Sequence, residues 1–276
     1  SLDILGVQQS NFRRFDSVCS LDDCTDFESE TITTNGDQLY FIHGKGNIAK
    51  EIQVQPFTLI RIQNPTEENQ NRERRVYSPG VLFFGNLSES FQFLLEGVYQ
   101  FGQSTEDIEH QAWKGVVEFD FATGPLGIKL HFEENSGDGD ATDDVDNNFE
   151  AFFPNNHGYR GWADKIGGIN SQDTYLELRY RLSDQFKINA QAHHFALSNP
   201  TGSWYSFNGT RVIGTPDSNN TTTGIGEEID ISLEWSPRKG ESIRLTHAHF
   251  IPTGVGKELT AGDPSYMTYV WFLINK

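Results

Sequence analysis

Apolar and polar residues alternate along most of this chain. Between 174 and 182, Thr174, Leu176, Leu178, Tyr180 and Leu182 alternate with Tyr175, Glu177, Arg179 and Arg181. After Ser183-Asp184-Gln185 the pattern resumes, with Phe186, Ile188, Ala190 and Ala192 set against Lys187, Asn189, Gln191 and His193. A period of two puts successive side chains on opposite faces of a strand, so each strand here has one apolar and one charged face. The same alternation recurs at 51–64, 91–101, 113–121, 126–133, 229–235 and 242–246. It predicts about twelve antiparallel strands, near 2–13, 37–47, 51–64, 73–86, 89–103, 108–122, 125–135, 172–184, 185–198, 226–237, 241–252 and 265–276. Pro79 interrupts the fourth and predicts a bulge or a poorly paired stretch there.

The connections alternate too. Short turns (NIAK, NLS, ATG, SDQ, SPRKGE) follow the even strands. Longer polar segments, 14–36, 65–72, 103–108, 136–171, 199–225 and 253–264, follow the odd ones. All short turns therefore lie at one end of the sheet. That parity predicts a single up-and-down β-barrel rather than a Greek-key sandwich or a lipocalin-like protein. A barrel of about twelve strands is too wide for side chains to fill and holds water. The charged face should then point inward and the apolar face toward lipid. Trp235 and Phe186, beside short turns, fit an aromatic girdle.

Composition sharpens this reading. The net charge of -18 argues against nucleic acid as a partner. No apolar run is long enough for a transmembrane helix. The chain opens SLDILGV, without Met or a basic leader, which reads as a processed form or a piece of a longer chain. Cys19 and Cys24, close together in an acidic stretch, are candidates for a small loop-stapling disulfide; two free thiols are the other reading.

Asp138, Asp140, Asp144 and Asp146 crowd carboxylates into one loop and are candidate Ca²⁺ ligands, although the EF-hand pattern fails and a solvated acidic loop explains them as simply. No other cofactor is expected. His247 and His249 share a strand face without an evident third metal ligand, whereas His193 and His194 point to opposite faces. There is no GxSxG, HExxH or phosphate loop, and the His and Ser residues do not share a face as a lipase site would need, so the chain does not read as an enzyme.

From Glu133 the sequence runs EENSGDGDATDDVDNNFEAFFPNNHGYRGWADKIGG, with Ser136-Gly137-Asp138, Phe149, Phe153-Pro154, His157, Gly158 and Trp162. It continues through YLELRYRLSDQFKINAQAHHFAL, SWYSFNG, GEEIDISLEWSP and HFIPTG to YVWFLINK, and RRVYSPGVLFFG, LLEGVYQFGQ and AWKGVVEFDF precede it. In this order the motifs resemble the alginate-export family of Gram-negative outer-membrane barrels. The resemblance implies a barrel of about 16–18 strands, of which about twelve are visible, with N-terminal strands lacking. It implies short turns and C-terminus in the periplasm, long loops outside, and contact with lipid and lipopolysaccharide.

The expected lumen residues are Arg61, Lys114, Lys129, Glu177, Arg179, Arg181, Lys187 and Arg244. They share the inward face with Glu96, Glu118, Asp120, Asp230 and Glu234. This mixed face departs from the arginine-rich lumen of an alginate exporter. Arg179, Arg181 and Lys187 are expected to form a basic cluster near the short-turn end. The function expected is passive passage of polar or anionic solutes, extending to polysaccharide export; the alternative is a structural barrel housing a partner protein.

Overall fold

The computed structural model describes residues 2–8, 12–13, 31–32, 37–64, 73–105, 107–152 and 159–274. Cys19 and Cys24 lie outside them. Twelve strands pair in chain order: β1 (Leu2–Gln8), β2 (Asp37–Gly44), β3 (Ile52–Gln63), β4 (Arg74–Ser88), β5 (Phe91–Thr105), β6 (Ile108–Thr123), β7 (Leu126–Asn135), β8 (Ser171–Arg181), β9 (Phe186–Ala196), β10 (Gly224–Arg238), β11 (Glu241–Pro252) and β12 (Ser265–Ile274). Every neighbouring pair along this path is antiparallel. Among the described residues β1 and β12 are open edges of the sheet. One cavity is lined from Gln92 on β5 to Arg244 on β11, so the sheet curls round a common lumen.

The strand positions agree with the alternation, with two local differences. The first strand ends at Gln8, and Phe12–Arg13 pairs separately with Thr31–Ile32. The expected longer loop at 103–108 is a tight connection: the ladder continues to Thr105 opposite Ile108. Within it Ser104 donates to Asp146 at 2.7 Å. At Pro79 the register holds but the ladder is interrupted: Tyr77 pairs with Phe101 and Gly80 with Val98, with no pairing between. Proline has no N–H to donate.

The burial pattern is inside out. Leu178 is 45% exposed and Ile231 54%, while Glu228 and His131 on the other face are 1% exposed. A water-soluble sheet would invert this, because apolar area left in water costs about 25 cal/mol per Å². The outward face of β5 runs apolar from Phe91 to Phe101. Ten rises of about 3.4 Å give about 34 Å along the strand, or about 26 Å of height at a tilt of about 40°. That matches the apolar band of a membrane barrel. Phe186 stacks on Trp235 at 6.3 Å beside the short turns. Outward polar residues gather toward the other end: His194 pairs with Glu227 at 2.6 Å, and His249 stacks on Tyr266 at 4.3 Å. His247 is bonded to Thr268 on the same outer face, at 2.9 Å.

The apolar core sits at the long-loop end, inside the sheet. There Phe195, Ile225, Ala248 and Phe250 of the strands pack against Ala163 and Ile166, Trp204, and Val255 of the short helix α1 (Gly254–Thr260). Three long connections thus fold onto the inner wall of β9–β11.

Candidate functional site

The connection between β7 and β8, expected as an external loop, turns into the lumen. We call it the strap. Its first half is tied to β3–β6. Glu150 N–H donates to Gln100 Oε1 at 2.8 Å and Gln100 Nε2 returns a bond to the Glu150 carbonyl at 3.0 Å. Arg61 and Arg74 both pair with the Glu150 carboxylate, Arg74 at 2.9 Å. Phe149 packs with Val98 and Ala112. Its second half is tied to β7 and β10. Arg160 pairs with Glu133, its Nε at 3.1 Å. Trp162 N–H donates to Asp230 Oδ2 at 3.2 Å, and Ala163 N–H to Glu228 Oε1 at 2.8 Å.

The close approach at Gly161 requires glycine. Its φ is +73°, and a Cβ there would collide with the Glu228 carboxyl, whose Cδ would lie 2.7 Å away. Burial of Glu133, Arg160, Glu228 and Asp230 is nearly complete. Buried charge is tolerated only with partners, and the strap supplies them.

Behind the strap, three rings in contact run across β7–β9, the first pair stacked and the second tilted. His131 lies 4.6 Å from Tyr175, and Tyr175 4.6 Å from His193. His193 Nδ1 is 3.0 Å from Asp173, and Nε2 is 3.7 Å from Asp230.

From mid-wall toward the short turns, the residues expected to line the lumen meet carboxylates of adjacent or next-but-one strands. Lys114 lies between Glu96 at 3.4 Å and Glu133 at 3.9 Å. Lys129 is 2.9 Å from Glu118. Arg179 pairs with Asp120, and Glu177 accepts from Asn189 at 2.5 Å. Glu234 holds both Lys187 at 3.4 Å and Arg244 at 2.7 Å, and Arg181 donates to the Gly124 carbonyl at 3.4 Å. Arg181 and Lys187 are cross-strand neighbours, as the turn requires. The cations are interleaved with carboxylates, not gathered into a bare basic cluster. Asp120 on β6 meets Arg179 on β8 across the intervening β7, a pairing that alternation alone could not supply, whereas Glu234 stands directly opposite both Lys187 and Arg244 on the flanking strands.

Asp138, Asp140, Asp144 and Asp146 do not converge on a point. Asp138 accepts from Asp140 N–H at 3.0 Å, and Asp140 from Thr142 N–H at 3.0 Å. Asp146 accepts from Asn148 N–H at 3.0 Å and Ser104 at 2.7 Å. Among the described residues no three His, Cys, Asp or Glu side chains are placed to hold a metal. Burial raises Asp138, and the nearby carboxylates of Asp146, Asp143 and Asp140 push it the same way. For Asp146, burial acts upward, but His110, Ser104 and Asn148 together hold the carboxyl well below its usual range.

Sequence reasoning missed Glu133, Glu150, Arg160, Asp173, His193 and Glu228. One signal was available. Gly158, Gly161, Gly167 and Gly168 cluster around Trp162, and glycine at that density allows close backbone approach.

A family model described as alginate export matches residues 26–272. No curated protein matches the chain. Among solved structures, the NanC porin is similar at 9% identity over 88% of this chain and 94% of that one, with a TM-score of 0.39. The outer membrane channel DcaP of Acinetobacter baumannii is similar at 11% identity over 96% of this chain and 68% of that one, with a TM-score of 0.48.

Proposed function

The chain belongs to the alginate-export family, and from that premise we propose that it is an outer-membrane channel for polar or anionic solutes, narrowed by the strap. The carrying observation is an asymmetry within the lumen ion pairs. The Arg179 side chain is 37% exposed and its partner Asp120 17%; Lys187 is 57% and Arg244 37% exposed, against 16% for Glu234. In these three pairs, near the short turns, the carboxylates lie back along the wall while the cation heads reach into the water; nearer mid-wall the two signs are about equally exposed, Lys129 19% against 15% for Glu118 and Lys114 19% against 25% for Glu96. A passing solute meets positive charge first, and low-dielectric walls focus that field along the lumen. Recessed carboxylates keep the net lumen charge near balance, which favours small anions over a long polyanion such as alginate.

In this reading the apolar face contacts lipid and lipopolysaccharide, the short turns and C-terminus are periplasmic, and the long loops are extracellular. No chemical step is involved.

The test is a planar-bilayer recording of the full chain under a KCl gradient. A channel of this kind conducts, with a reversal potential on the anion side. A barrel that houses a partner protein stays closed, and a cation-side reversal potential would refute the anion preference.

A further inference from the structure

We infer that the second half of the strap docks through a bound proton, shared by the buried Glu228–Asp230 pair, and that loss of this proton as pH rises releases the strap from the wall. The conductance expected below rests on the channel reading above; the proton does not. Elsewhere the strap meets carboxylates that have guanidinium partners: Glu133 is paired with Arg160, and Glu150 with Arg61 and Arg74. Asp173, Glu228 and Asp230 are 1–2% exposed, yet among the described residues no Lys or Arg pairs with any of the three, and His193 is their one basic partner. Its Nδ1 lies 3.0 Å from Asp173 and its Nε2 3.7 Å from Asp230.

Register fixes the surroundings of the pair. On β9, His193 stands opposite Glu228 and Gln191 opposite Asp230; on β11 the opposite residues are Phe250 and Ala248, both apolar. His131 and Glu133 of β7 lie beyond Asp173, and Tyr175 of β8 lies between the two histidine rings. Tyr269 of β12 faces the pair and donates to Asp164 of the strap at 3.4 Å. The strap itself brings two N–H donors, from Trp162 and Ala163, but no cation. Glu228 Oε2, Asp230 Oδ1 and His193 Nε2 are left buried without a hydrogen-bond partner. Three buried carboxylates against at most one imidazolium leave an excess of negative charge, which a desolvated wall does not tolerate. Among the described residues no three side chains are placed to hold a metal, so the cation that fits is a proton. Glu228 and Asp230 share one face of β10 with their carboxyl groups in hydrogen-bond reach, so one proton between them satisfies Oε2 and Oδ1 together. Undocking admits water, in which both carboxylates ionise. The docked state thus holds one proton more than the undocked state, and docking weakens as pH rises.

The test is hydrogen exchange at the Trp162 and Ala163 amides of the folded full chain, corrected for the intrinsic rate. It runs from about pH 5, where ordinary carboxylates are already ionised, to about pH 9. Protection is expected to fall by up to about tenfold per pH unit where the proton leaves, with KCl conductance rising over the same range. Glu228→Gln supplies the hydrogen covalently, since its Oε1 still accepts from Ala163 and its amide donates to Asp230. In that variant protection should stay flat with pH and conductance should stay at its low-pH level. Asp230→Asn should behave the same way, and it carries the test if Glu228→Gln does not fold. Wild-type protection that is flat or rises with pH overturns the inference. A pH dependence that survives in both amide variants also overturns it, because it would then belong to His193 or His131. Protection that falls as expected in a chain that never conducts upholds the proton and overturns the channel reading instead.

Discussion

Replacing Gly161 by Ala strikes the strap where it lies closest to the wall. The backbone there is left-handed, at φ +73°, a conformation that costs a residue with a Cβ about 1–2 kcal/mol. The added methyl would also collide with the Glu228 carboxyl, which is 1% exposed and accepts the Ala163 N–H at 2.8 Å. Displacing that carboxylate leaves a buried donor and acceptor unmet, at about 1–3 kcal/mol. Together the two effects come to about 3 kcal/mol, or about a hundredfold shift of the strap from docked to undocked. The outer strand faces are untouched, so the heat-modifiable gel mobility of the folded barrel should stay as in the wild type. Single-channel recordings should show larger or fluctuating conductance levels. Gly97→Ala serves as the control, because a Cβ there meets nothing within 4 Å. A Gly161→Ala protein that folds and conducts like the wild type would refute both the docking energetics and the strap as constriction.

Leu178→Arg should impair membrane assembly at a cost of about 2–4 kcal/mol if it sits near mid-bilayer, whereas Arg179→Ser with Arg181→Ser should assemble and shift ion preference toward cations; the reverse outcome, read by gel mobility and reversal potential, would refute the assignment of faces. The Asp146 carboxyl is held below its usual range, so its anchoring of 145–151 is complete above an unfolded value of about 3.9 and is lost as pH falls through the lower folded value. Hydrogen exchange across 145–151 should therefore rise on acidification below about pH 4, and Asp146→Asn should exchange faster at neutral pH and lose that dependence. Protease added to intact cells should cut the exposed residues 140–144 and 217–222 and spare 160–170 and the turn at 183–185; cleavage confined to the short turns would invert the proposed orientation.

Much of this fold was legible because a strand writes itself into sequence with period two. Leu176, Leu178 and Tyr180 against Glu177 and Arg179 identify two faces without any partner strand, and the parity of loop lengths orders the strands. The inside-out burial followed from the barrel width that this implies. What no local pattern carries is the meeting of residues far apart in the chain. Arg179 finds Asp120 across 59 positions, Ala163 finds Glu228 across 65 and Trp162 finds Asp230 across 68. Alternation says that each of these charges faces inward; it does not say which of the inward carboxylates will be near.

The strap is the clearest case. Its segment is polar, glycine-rich and without period, so from sequence it reads as a solvent-facing loop. Its inward turn depends on Glu133, Glu228 and Asp230 being brought to one wall by strand register. Once there, those buried carboxylates need donors that water cannot supply. The sequence by itself determined the strands, their faces and their order, because each depends on neighbours two residues away. Only the tertiary structure decided where the charges pair and what narrows the lumen, because those depend on three-dimensional register and on the desolvation of groups that the folded sheet places together.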